Sequence, residues 1–346
     1  MTAVEGQDTR FRPGFDHATD PALLSGHPFE WDRLREASRT FRSDAAHAYG
    51  NEWDNWYLLR YEDVADAFGR PDLFSSRQVL YLVEDSHRWI PSEVDPPEHT
   101  RYRATLNPNF SPLAIAAMEP EVRGLAARLV ASFADRGSVD VVVDFARRFP
   151  TTIFMQMMGM PVDQADTFLG WAMDMMHTTG ATDPDAATRK QAARSIYGYL
   201  REMLAARRAE PGDDIPSRLM AAEPEGGAFT DAELLEMAML LYIAGMDTVA
   251  GVLSYAFLHL AQHAEDRRRL LDEPTLIPAF VEEVLRYYSI VSVARVVTED
   301  VDYAGCPLRA DDRVILCTGA ANRDPRHHPD AAPFKLDRAH HPPNAV

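Results

Sequence analysis

Apolar positions crowd one stretch of this chain, Thr230 to His263, with few of the polar interruptions that mark a surface helix. The stretch opens on Thr230 with Glu233 three residues on, the spacing of a capping box in which each residue's side chain satisfies the other's free backbone donor. No proline follows until Pro274. One helix of that length runs roughly 50 Å at 1.5 Å per residue, which suits a core element crossing a large domain. Met237 to Ala261 is also long enough to span a bilayer, but Asp247 at its centre makes a span costly. The middle is weak for a core helix, since Gly245 and Gly251 each cost about 1 kcal/mol relative to alanine. Asp247 beside Thr248 also needs partners if buried.

The rest of the pattern predicts further helices over Phe29 to Arg39, Asp63 to Phe68, Pro112 to Asp135 with an interruption at Pro120, Phe145 to Met158, Gln164 to His177, Pro184 to Arg208 and Leu276 to Tyr288. Strands are expected at Trp53 to Arg60, Val139 to Val143, Val291 to Thr298 and Arg313 to Cys317. Asp95, Pro96, Pro97 and Glu98 open another helix, with the prolines where no donor is needed. It carries His99, Arg101 and Arg103 and ends at Pro108, so His99 and Arg103 share a face. That face is either solvated or able to hold a carboxylate. Residues 1–28 read as loosely ordered, residues 29–346 as one domain, and Ala320 to Val346 as irregular coil. The fold class is mainly α with small β-sheets (α+β).

Composition narrows the function. With 346 residues and 46% hydrophobic positions the chain can bury a substantial core, while a net charge of −18 argues against nucleic acid. No apolar segment follows Met1, so no signal peptide or membrane anchor is indicated and a cytoplasmic location is expected. Cys306 and Cys317 are read as small buried side chains. Zinc spacing, a phosphate-binding Gly-rich loop and a nucleophile elbow are all missing. Seven methionines between Met155 and Met176 suit irregular packing or an adaptable pocket. Ser75 to Ile90, with His87 and Trp89, and Ile290 to Val293 are further pocket candidates.

Several motifs then fall in a familiar order. Ala244, Gly245, Met246, Asp247, Thr248 resembles the A/G-G-x-D/E-T signature of the cytochrome P-450 superfamily of haem-thiolate monooxygenases, soluble bacterial type. Glu283, Val284, Leu285, Arg286 resembles its E-x-x-R. His99 to Arg103 resembles the helix whose His and Arg hold a haem propionate, Arg295 falls at the matching strand arginine, and Ala321 to Arg338 resembles the meander. The resemblance implies haem b as cofactor and Asp247 and Thr248 as the catalytic pair for proton delivery. It implies Ala244 and Gly245 as a shelf for haem and dioxygen, and His99, Arg103 and Arg295 as propionate partners. Glu283, Arg286 and Arg338 become a structural triad. A small apolar substrate, with a ferredoxin-type electron donor and its reductase, completes the implied reaction: insertion of one oxygen atom of dioxygen.

The sequence departs from that family in one place. The chain ends at Val346 without a loop of the form F-x-x-G-x-x-x-C-x-G, so the family's cysteine ligand is absent from it and no metal ligand is assigned. Cys306 and Cys317 lie upstream of the meander and match no ligand position. Two readings stand: a monooxygenase truncated before the cysteine loop, or a haem-free relative that acts as partner protein to another enzyme. The first is favoured by the intact Asp247 and Thr248. In either case the chain as it stands is expected to bind no haem tightly through a thiolate.

Overall fold

The computed structural model describes residues 10–26, 28–44, 55–77, 88–178, 182–183 and 185–338. The chain begins with α1 (Pro21–Gly26), α2 (Phe29–Ala37), β1 (Thr40–Ser43), β2 (Asn55–Leu58), α3 (Tyr61–Gly69) and β3 (Phe74–Ser75). The helices α4 (Glu98–Leu106), α5 (Pro112–Phe133), α6 (Arg148–Met157), α7 (Ala165–Met176), α8 (Ala187–Ala209), α9 (Ile215–Ala221) and α10 (Asp231–Met246) follow. The remainder is α11 (Thr248–Gln262), α12 (Ala264–Asp272), α13 (Ile277–Tyr287), β4 (Val293–Val297), β5 (Val301–Tyr303), β6 (Cys306–Leu308), β7 (Arg313–Leu316) and α14 (Thr318–Ala321). Contacts group these elements into two compact units, residues 1–81 with 255–346, and residues 82–254.

The first unit is organised on a five-stranded sheet in the order β1-β2-β7-β4-β3, in which β2 and β7 run parallel and the other pairs antiparallel. Its register aligns Phe41 with Tyr57, Tyr57 with Ile315, and Ile315 with Ala294. Alternation along a strand therefore sends Phe41, Tyr57, Ile315 and Ala294 to one face, where Phe15, Leu23, Trp31 and Leu34 pack. Trp56, Leu58, Val314 and Leu316 face the other way, onto Val64, Phe74 and Val297. A sheet covered on both faces explains why Trp56, Tyr57 and Leu58 on β2 and Val314, Ile315 and Leu316 on β7 run apolar without alternation. Phe15 and Leu23 also tie the segment expected to be loose into this core, and the notch they fill gives no periodic signal in sequence.

The second unit is helical. Its α10 packs against α6, α7, α8 and α9, which is why the helix is apolar on nearly every side. The capping box is present: Thr230 Oγ1 accepts from Glu233 N at 3.2 Å, and Glu233 Oε2 accepts from Thr230 N at 2.7 Å. By length and apolarity alone Asp231–Gln262 could cross a bilayer, but Leu234, Met237, Met239, Tyr242 and Met246 of α10 are buried within this unit.

Two expectations are corrected. The long helix is not continuous: Asp247, at φ −127° and ψ −37°, separates α10 from α11. Thr248 Oγ1 donates to Ala244 O at 3.0 Å, taking the carbonyl that a continuous helix gives to a backbone N–H, and such back-bonding bends helices. Val139 to Val143 is not a strand. Asp140 accepts from Val142 N and Val143 N at 3.0 and 3.1 Å, as a helix cap does, and the chain winds into a π-turn at Val142–Ala146 before α6. Elsewhere boundaries move by a few residues, and Pro120 sits inside an unbroken α5.

Candidate active site

The residues singled out at the centre of the long apolar stretch fall on the joint between α10 and α11. Ala244 and Thr248, one helical turn apart, are both exposed, and Val249 beside them is 50% exposed. This exposed strip interrupts the run of buried residues that includes Tyr242, Ile243, Met246 and Ala250. Gly245 points elsewhere. A Cβ at that position would overlap the ring of Phe154 on α6, so the glycine is required by helix packing. The open shelf is therefore made by Ala244 and Thr248.

Asp247 has a partner that the sequence did not reveal. Its Oδ2 lies 2.7 Å from Nε2 of His177, the residue that follows the last turn of α7. The hydrogen bond from His177 holds the Asp247 carboxyl below its ordinary range, and Arg147 adds to the effect against the opposing influence of burial. The same bond raises the His177 imidazole above its ordinary value. An imidazolium at a helix C-terminus is favoured by the helix dipole as well.

The α4 helix presents His99, half-buried, and Arg103, exposed. What fixes α4 is the turn between these two residues. Arg101 Nη1 donates to Glu233 Oε1 at 2.6 Å, and Tyr102 Oη donates to the same oxygen at 2.8 Å. Burial pushes the Glu233 carboxyl up, but the bonds from Thr230, Arg101 and Tyr102 outweigh it and hold the group at about 2. One carboxylate thus caps α10 and anchors α4. Arg101 also donates to the carbonyls of Glu225 and Gly227 at 3.1 and 3.0 Å. That role separates it from Arg103.

In the first unit, Arg295 extends from β4, half-buried, its guanidinium 5.1 Å from the centre of the Phe68 ring. The three residues expected to form a structural triad do meet. Glu283 is fully buried and accepts from Arg286 Nε and Nη2 at 2.8 Å each, from Arg338 Nε and Nη2 at 3.1 and 3.0 Å, and from Lys335 N at 2.9 Å. Burial alone raises the Glu283 carboxyl, and the two arginines overcome it, so the group stays ionised. A further network there was invisible in sequence: Arg323 pairs with Asp32 of α2 and lies 4.4 Å from the centre of the Tyr287 ring.

Haem b, a flat apolar ring with two carboxylates, calls for an open small-residue surface and hydrogen-bond donors; in the second unit Ala244 with Thr248 and His99 with Arg103 have that chemistry, and taken by itself the first unit offers Arg295. Neither cysteine offers a thiolate. Burial pushes both thiols up, Cys317 well above its ordinary value, and Cys306 Sγ lies 2.8 Å from Thr40 Oγ1. Among the described residues no cluster of three or more His, Cys, Asp or Glu is arranged to hold a metal ion.

Of the other pocket candidates, residues 78–87, which include His87, lie outside the described residues. Trp89, Met155, Met158, Met160 and Met175 are buried, while Ile290 and Val291 are exposed.

The family model described as Cytochrome P450 matches residues 51–339. A probable cytochrome P450 127A1 of Sinorhizobium fredii is 33% identical over 273 residues, covering 78% of this chain and 64% of that protein. The vitamin D(3) 25-hydroxylase of Pseudonocardia autotrophica is 35% identical over 292 residues, covering 82% of this chain and 70% of that protein. Among solved structures, a myxobacterial cytochrome P450 in complex with myristic acid superposes with a TM-score of 0.83 at 27% identity, covering 95% of this chain and 83% of that one. The chain belongs to the cytochrome P450 family of haem-dependent monooxygenases and has that family's mainly helical fold with small sheets. The match spans just under two thirds of the length of the Sinorhizobium relative.

Proposed function

We propose that the protein carrying this chain inserts one oxygen atom of dioxygen into a small apolar organic substrate, with electrons from a ferredoxin-type donor and its reductase, in the cytoplasm. The observation that carries this reading is the joint at Asp247. A carboxylate and a hydroxyl adjoin there, next to the exposed side chains of Ala244 and Val249, at the end of a helix whose Tyr242, Ile243 and Met246 are buried. Haem b, when bound, supplies the iron at which dioxygen is activated.

The chain's own residues then have separable tasks. Ala244 leaves room beside the helix, because any larger side chain projects from that exposed strip. Thr248 holds its hydroxyl by donating to Ala244 O, which leaves the lone pairs of Oγ1 free to accept a proton donor. Asp247 holds the acid–base function next to it, half-buried and hydrogen-bonded through one oxygen. His99, Arg103 and Arg295 supply cationic partners for the haem carboxylates. Glu283, Arg286 and Arg338 brace the first unit and take no chemical part.

The test is the ratio of product formed to dioxygen consumed in the haem-loaded protein. Thr248→Val and Asp247→Asn are expected to lower product formation by about a hundredfold, the low end of general acid–base effects, while haem content is retained. Unchanged product yield in both variants removes the assignment of these residues.

A further inference from the structure

The pair formed by His177 and Asp247 asks for an explanation that the family reading does not supply. The imidazole Nε2 points at Oδ2 from 2.7 Å, a distance typical of a charge-assisted bond. The side chain of His177 remains 50% exposed and that of Asp247 37%, so this is not a sealed structural pair. The imidazole side chain is half-exposed while its Nε2 is hydrogen-bonded to the carboxylate beside Thr248. A permanently charged partner such as arginine could hold Asp247 but could not hand it a proton. Histidine does both near neutral pH.

We propose that His177 is the positioning residue and solvent-side proton donor for Asp247, a role that rests on the reading of Asp247 given above. In the step inferred, the Nε2–H bond of the imidazolium breaks as an O–H bond forms on Asp247 Oδ2. The ring becomes neutral with its remaining proton on Nδ1, and water returns a proton to Nε2 once Asp247 has passed its own on, so one proton passes inward and no electrons move. The carboxylic acid so formed is released from its ion pair and can donate onward at Thr248.

The surroundings suit this cycle. Arg147, just before α6, opposes protonation of His177 and keeps the imidazolium from being held too strongly. On α7 itself Asp174 lies one turn back, exposed, and the next residue, Thr178, is held through its carbonyl by Arg189 of α8. Arg189 N in turn donates to Asp183 at 3.0 Å. The end of α7 is thereby fixed in place by contacts that do not use the imidazole. The sign follows from the two directions of shift. The ion pair is complete between the ordinary ranges of the carboxyl and the imidazole, and is lost as pH rises through the elevated value of His177. It is lost at the acid end as pH falls through the depressed value of Asp247.

Two measurements test the proposal, and the first needs no haem. In the full chain, the His177 Cε1–H resonance followed by NMR against pH is expected to titrate above the ordinary histidine value and to fall back toward it in Asp247→Asn. A midpoint indifferent to Asp247→Asn overturns the pairing. In the haem-loaded protein, His177→Ala and His177→Gln are expected to lower product formed per dioxygen consumed. His177→Lys keeps a positive charge and is expected to stay low. Wild-type yield in His177→Ala and His177→Gln overturns the donor role. If the titration behaves as stated but Asp247→Asn retains full product yield, it is the reading of Asp247 that fails.

Discussion

Replacing Glu283 by alanine probes the most heavily bonded buried charge in the first unit. The carboxylate has no exposed surface and accepts five hydrogen bonds, four from arginine and one from the Lys335 backbone. Without it Arg286, 1% exposed, keeps only the carbonyls of Asn322 and Ala331 at 3.0 and 3.1 Å and a longer contact to Pro333. Those neutral acceptors leave a buried cation without a counter-charge, a defect that costs about 3–5 kcal/mol. Arg338→Ala is the milder break, because Glu283 then retains its two bonds from Arg286 and the loss is that of charged hydrogen bonds, about 1.5–3 kcal/mol. Urea unfolding followed by tryptophan fluorescence gives both numbers, since Trp31 and Trp56 lie in the same unit and are buried. The order Glu283→Ala worse than Arg338→Ala is the prediction. A Glu283→Ala loss below about 1 kcal/mol, the range of exposed ion pairs, would refute the buried-network reasoning.

Other consequences follow from single contacts. Gly245→Ala forces a Cβ into the Phe154 ring and is expected to lose about 1–3 kcal/mol in the same denaturation assay, with part recovered when Phe154→Leu is added. Glu236, buried on α10 and bonded to Tyr197 Oη at 3.0 Å, has its carboxyl raised to about 7 by burial, partly offset by that bond. Its folded value exceeds its unfolded one, so its contribution to stability is complete below about 4.5 and is lost as pH rises through about 7. Glu236→Gln should accordingly flatten the fall in denaturation midpoint between pH 5 and 8 relative to wild type. Cys306 and Cys317, both buried with raised thiols, are expected to resist a thiol reagent in the native protein and to react together on unfolding.

Legibility in the sequence followed the range of each interaction. The capping box at Thr230 and Glu233, the helix opening near Glu98 and the strand at Arg313 use neighbours within a turn or a pleat, and all were readable from spacing. The order of motifs disclosed the family, and with it the meeting of Glu283, Arg286 and Arg338 across more than fifty positions. What spacing hides is the identity of distant partners. Asp247 was recognisable as a residue that needs one, yet nothing near His177 marks it as that partner seventy positions away. Gly245 was readable as a close approach, but not that Phe154 makes it. Val139 to Val143 misled because β-branched residues favour strands, while the deciding feature was the cap at Asp140 and the absence of a neighbouring strand to pair with among the described residues. The break at Asp247 was equally hidden, since Thr248 competes for the Ala244 carbonyl only through its side chain.

The central claim, that this chain belongs to an oxygen-inserting enzyme, is tested most directly by isotope labelling. The haem-loaded protein is supplied with electrons, an apolar substrate and ¹⁸O-labelled dioxygen in ordinary water, and the product is analysed by mass spectrometry. The account predicts one labelled oxygen atom per product molecule, with the amount of labelled product falling in parallel in Thr248→Val and Asp247→Asn. Oxygen drawn from water instead, or an undiminished amount of labelled product in those variants, contradicts it.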